Sequence, residues 1–218
     1  MRFPNAHKGI SRILTSQWIQ LISTILMLVG AVAAVTFLTS AENLQEVSKE
    51  AANASTVSAG IGGLIAIAGL VLAIIAFIME LLGLNTARQD ESQFNTAFFM
   101  CLGGLILAIL AAVLQTPFPS IADVLSLVSK IFSLGVIEYC AAGIISLALQ
   151  LNDQATADLG RKLRILISIL YGVAIVLSIF GKKESTFTNI ITIADAVVEV
   201  IVFIVFIVLL SKAKKMLA

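Results

Sequence analysis

Charge is what this 218-residue chain has least of: 12% of its residues are Asp, Glu, Lys or Arg, against 59% hydrophobic ones. A soluble domain carries about a quarter charged residues and rather less than half apolar ones, so the composition excludes an ordinary water-soluble domain. The formal net charge is only +1. That leaves no overall attraction to a polyanion, and no nucleic acid is expected as a partner. Histidine occurs once, at His7, so a histidine-based metal centre or a Ser-His pair has almost no material. The two cysteines, Cys101 and Cys140, lie in separate apolar runs. That pattern suits neither a disulfide framework nor a CxxC redox motif. The Walker A loop, HExxH, GxSxG and the dinucleotide fingerprint are missing too, and the glycines of "GIGG" lie in an apolar helix where they cannot cradle phosphate. No metal and no cofactor are expected, and the chain is not read as an enzyme.

What is present is a series of six apolar runs, at 18–38, 57–79, 94–114, 121–149, 163–180 and 189–210. Each is near or above the roughly 17 residues a helix needs to cross a bilayer. The runs lack the alternation of a barrel strand, and lipid satisfies no backbone polar group, so helices are the expected form. The expected fold is all-α: a polytopic membrane helix bundle of six transmembrane helices, a single transmembrane domain over 1–218. Polar stretches such as "TSAENLQEVSKEAANAS", "LNTARQDESQ", "QTPFPS", "LNDQATADLGRK" and "GKKEST" separate the runs. The basic N-terminal segment, 1–17, reads as a flank. The alternative is an interfacial helix, with Ile10, Ile13 and Leu14 on one face and Lys8 and Arg12 on another.

Lysine and arginine set orientation. Ten of them fall in the two termini, the second loop and the fourth loop with the start of the fifth helix; Lys49, Lys182 and Lys183 fall on the other side. This places the chain in a cell membrane with both termini cytoplasmic.

Two helices carry stripes of small residues. The second has Ala59, Gly62, Ala66, Gly69, Ala73 and Ala76; the third has Ala97, Cys101, Gly104, Ala108 and Ala111. Steps of three and four keep such a stripe on one seam, and small side chains let two backbones approach in lipid. An antiparallel pair between the two helices is the economical reading, with a homo-oligomer contact or another membrane protein as the competing partner.

"VSKIFSLGVIEYC" places Lys130 and Glu138 in the fourth apolar run, and the sixth holds Asp195 and Glu199. A charge at the bilayer centre costs roughly 2.5–3.5 kcal/mol on insertion scales, so these four should face protein or water. Three readings stay open: a clamp between helices, an ion or proton pathway, or a surface helix over 121–133 that puts Lys130 among headgroups. A clamp would pair Lys130 with Asp195, leaving Glu138 and Glu199 nearer the midplane.

"GLNTARQDESQFNTAF", 83–98, resembles a turn in an uncharacterised family of small multi-pass membrane proteins from Gram-positive bacteria. "NAHKGISRILTSQWIQLIS", 5–23, resembles that family's entry into its first helix. The resemblance implies a membrane location and no activity. The reading is therefore an integral membrane protein, structural or accessory, assembling through small-residue seams in the lipid bilayer. The alternative is a small transporter, channel or transporter subunit that uses its intramembrane carboxylates.

Overall fold

The computed structural model describes the backbone of residues 2–44, 49–180 and 186–218, and the side chains of 2–30, 63–176, 197–198 and 200–218. It is built of α1 (Pro4–Leu44), α2 (Lys49–Ala87), α3 (Gln93–Leu114), α4 (Pro119–Gln150), α5 (Gln154–Phe180) and α6 (Thr186–Leu217). Most of these helices overrun the apolar runs of the sequence at one or both ends. A backbone that hydrogen-bonds to itself need not stop where the side chains turn polar. Among the described residues, four segments are long and apolar enough to cross a membrane: Pro4–Gly30, Gly63–Ala87, Gln93–Leu114 and Pro119–Gln150. Large apolar side chains stand exposed along them, among them Leu70 and Ile74 on α2, Ile106 and Ile109 on α3, and Val124 and Ile131 on α4. In water such surface drives aggregation; in lipid it is the solvated face. The fold is an all-α, multi-span helix bundle of the membrane type.

The chain forms two compact units, Met1–Leu14 with Glu80–Ala218, and Thr15–Met79. In the larger unit α4 contacts α3, α5 and α6. Its buried residues Val136, Ile137, Cys140, Ala141, Ile144, Leu147 and Ala148 recur at helical spacing, and several are small. Proline turns the chain from α3 into α4: Pro117 follows the end of α3, and Pro119 opens α4, where its missing N–H costs no helical bond. The turn from α4 into α5 is tighter. Asn152 takes the left-handed conformation, φ 59°, which asparagine tolerates better than most residues. The Asp153 amide then donates to the Ala148 carbonyl at 2.9 Å, ending α4. Asp153 also starts α5, accepting from the Thr156 amide at 3.0 Å and the Thr156 hydroxyl at 2.6 Å. "LNTARQDES" shares its Leu-Asn opening with "LNDQATADLGRK", but Leu84 and Asn85 lie inside α2 whereas Leu151 and Asn152 end α4.

The N-terminal segment is part of α1. Ala6, Ile10 and Ile13 are wholly buried, so its apolar face belongs to the protein core and not to a lipid interface. The contact is a close crossing with the end of α2. A methyl group on Gly9 would lie 2.6 Å from the Gly83 carbonyl oxygen, and one on Gly83 would lie 2.6 Å from Ile13 Cγ1.

Within the smaller unit α1 and α2 meet at another close approach. Ser23 Oγ donates to the Gly69 carbonyl at 2.7 Å, and a methyl on Gly69 would lie 2.7 Å from Met27 Cγ.

Candidate functional site

The register of α3 against α4 sets the level of each α4 charge along the pair. Gly143 faces the Phe94 ring and Gly135 faces the Met100 side chain, while Gly103 and Gly104 face Phe132. Ser129 Oγ donates to the Gly104 carbonyl at 2.9 Å. The helices are thus antiparallel, with residue 130 of α4 level with the centre of α3 and residue 138 level with its first turns. At about 1.5 Å per residue, Lys130 and Glu138 stand roughly 12 Å apart along α4. Along the pair, Lys130 is level with the middle of α3 and Glu138 with its beginning. The segment 121–133 runs alongside α3 as part of one continuous helix, which argues against a separate surface helix.

Glu138 bridges two helices. Its Oε2 accepts from Arg164 Nε, and its Oε1 accepts from Ser168 Oγ, both on α5. The two α5 residues are one turn apart on one face, so a single carboxylate binds both. Ser168 has one hydroxyl proton, and the Arg164 carbonyl, 3.0 Å away, is its alternative acceptor. The Glu138 side chain is 18% exposed and that of Arg164 46%. The site is a neutral ion pair at the edge of the bundle, open on the arginine side. The sequence places Arg164 just inside an apolar run but does not show that it faces Glu138.

A second polar cluster closes the same end of the larger unit. Asp90, in the turn between α2 and α3, accepts from the Ala6 amide at 2.7 Å and from Asn5 Nδ2 at 3.0 Å, capping the start of α1. The next residue, Glu91, accepts from Ser146 Oγ at 2.8 Å and Gln150 Nε2 at 3.2 Å on α4. Arg12 donates to Thr86 Oγ1 at 3.1 Å, and Arg2 to the Gln150 carbonyl at 3.1 Å. The α2–α3 turn therefore holds the first helix with one acid and the fourth with the next. These pairings join residues far apart in sequence, and no local pattern announces them.

Glu80 is buried, 7% exposed, within electrostatic reach of Cys101 and Cys140. Both cysteines are buried free thiols. Among the described residues, no group of three or more His, Cys, Asp or Glu could hold a metal ion.

The remaining site residues are placed as follows. Asp195 and Glu199 belong to α6, but their side chains lie outside the described residues, and the expected Lys130–Asp195 pair with them. In the α2 stripe Gly69 and Ala76 are buried, Ala66 and Ala73 half-buried, and Ala59 and Gly62 outside the described side chains. In the α3 stripe Ala97, Cys101, Gly104 and Ala111 are buried, whereas Ala108 is exposed. Gly69 packs on α1 and Gly104 on α4. Compared with protein-family models, curated proteins and solved structures, the chain matches none. What composition, exposed apolar faces and helical architecture establish together is a multi-pass helical membrane protein.

Proposed function

We propose that the chain is a structural or accessory protein of a cell membrane, whose charges within the helices hold the bundle together. One observation carries the reading: both oxygens of Glu138 are engaged by the neighbouring helix, one of them by an arginine. A guanidinium does not give up its proton in proteins, so Glu138 beside Arg164 serves as a clamp and is poorly suited to relay protons. In this reading α5 and α6 also cross the membrane, giving six spans. Exposed Ile169, Val173 and Val176 on α5 and Ile201, Ile204 and Val208 on α6 support it. Both termini are cytoplasmic on the lysine and arginine bias. Small-residue faces not spent on neighbours within the chain take a second copy or a partner membrane protein. No catalytic role is proposed. On the resemblance of 5–23 and 83–98, kinship with the Gram-positive family of small multi-pass membrane proteins is part of the proposal. A transporter or channel is the second reading, favoured by the position of Lys130 level with the middle of α3, an apolar helix long enough to cross a membrane.

The test is a charge swap combined with flux. Glu138→Arg or Arg164→Glu alone should destabilise the detergent-solubilised protein by about 1 kcal/mol, because half-exposed Arg164 is well screened. The double variant should recover most of that loss, read by thermal unfolding. Liposomes holding the wild type should show no ion or proton flux above empty vesicles. Flux that Glu138→Gln abolishes would overturn the proposal.

A further inference from the structure

Each of α5 and α6 carries one outward stripe that changes character along its length. On α5 it runs from Lys162 through Ile165, Leu166, Ile169 and Val173 to Val176, all exposed. On α6 it runs from Lys215 and Lys212 through Val208, Ile204 and Ile201 to Val197, again all exposed. Steps of three and four keep each set on one face. The helices are neighbours and antiparallel: Gly160 packs against Leu209, and Lys212 acts electrostatically on Asp153 at the start of α5. Both cationic ends therefore sit at one end of the pair, with both apolar lengths beyond them.

The charge there is unbalanced. Arg161, Lys162, Arg164, Lys212, Lys214 and Lys215 stand against Asp153, Asp158 and Glu138. Asp158 is taken by Arg161 at 3.1 Å and Glu138 by Arg164. That leaves four lysines, Lys162, Lys212, Lys214 and Lys215, against Asp153, which lies within electrostatic reach of Lys212; Lys162, Lys212 and Lys215 are exposed and head the stripes. A flank whose only role is to orient the chain needs positive charge but no fixed alignment with an apolar face. Here cations and apolar side chains share one face on each of two adjoining helices. That is the pattern of an amphiphile bearing an anionic head and hydrocarbon tails.

We propose that the outer face of α5 and α6 binds anionic phospholipid selectively, with Lys162, Lys212 and Lys215 on the headgroup phosphate and the apolar stripes along the acyl chains. Near a membrane surface each Lys or Arg contributes roughly 1 kcal/mol toward anionic lipid, about a fivefold change in affinity. A ligand that binds only the folded state raises its unfolding midpoint.

The full chain in neutral detergent micelles is titrated with dioleoylphosphatidylglycerol or dioleoylphosphatidylcholine while thermal unfolding is followed. The midpoint should rise with the anionic lipid well beyond any rise with the zwitterionic one, and the difference should shrink in high salt. Lys162→Gln, Lys212→Gln and Lys215→Gln combined should weaken apparent phosphatidylglycerol affinity by a factor of ten or more. The same three positions changed to Arg should keep it. Equal response to the two lipids, full selectivity in the triple Gln variant, or the same stabilisation by millimolar inorganic phosphate would each overturn the proposal. The lysines are exposed, so the triple variant should fold; helical circular dichroism equal to wild type checks this.

Discussion

Asp153 shows how much one side chain can decide. It starts α5 through two hydrogen bonds from Thr156, and those bonds hold its carboxyl below the usual carboxylate range, the side-chain bond first. A carboxyl depressed in the folded state adds stability that is full above its unfolded value near 4 and is lost as pH falls through the folded value. Unfolding of the wild type followed down from pH 6 should show that loss in the acid range. Asp153→Asn should keep most of the cap, since asparagine caps nearly as well, but lose its share of the pH dependence. Asp153→Ala should cost about 1 kcal/mol at pH 7. Equal acid sensitivity in the Asn variant would rule out this assignment. Glu138 was legible as an anomaly in an apolar run. Its partner was not, because the residue facing it across a helix pair, 26 positions away, depends on packing.

At the scale of helices, glycines divide by what they face. Gly9 and Gly83 lie where α1 and α2 approach so closely that any side chain meets backbone. Gly172 on α5 has nothing within 4 Å of where a methyl would stand. Gly9→Ala should therefore destabilise by roughly 1–3 kcal/mol, as overpacking does. Gly172→Ala should be neutral or stabilising by up to about 1 kcal/mol, since alanine is the better helix former. Thermal unfolding of the two variants in one detergent separates them; equal losses would refute the distinction. The sequence showed stripes of small residues on α2 and α3 but not which helix each meets. A small face is compatible with any close neighbour, and Gly69 packs on α1 while Gly104 packs on α4. Helix lengths were underestimated for a different reason: hydropathy reports where lipid lies, while the helix itself continues through polar residues such as 154–162.

For the chain as a whole, the larger unit gathers the start of α1, the α2–α3 turn, the α4–α5 turn and the end of α6 at one end, joined by Asp90, Glu91, Arg2 and Lys212. The turn at 115–118 lies at the opposite end of α3 and α4. Single cysteines placed at 89, 152 and 218 in a chain lacking Cys101 and Cys140 should react with an impermeant maleimide from one side of sealed vesicles, and one at 116 from the other. Labelling of 116 from the same side as 89 would contradict that arrangement.

Composition alone determined the solvent of this protein. With so few charges and so many apolar residues, the long runs can be satisfied only in lipid, and in lipid only as helices, because no water is there to bond the backbone. Counting apolar residues reaches that far since it needs no partner. Tertiary structure decided the rest: that Glu138 meets Arg164, that Lys130 is level with the middle of α3, that Asp90 caps a helix beginning 86 residues earlier, and that the apolar face of the basic N-terminal segment is core. Each of these is a relation between two places on the chain. In a bundle, such relations come from register and rotation between helices, which packing sets and neither residue encodes by itself.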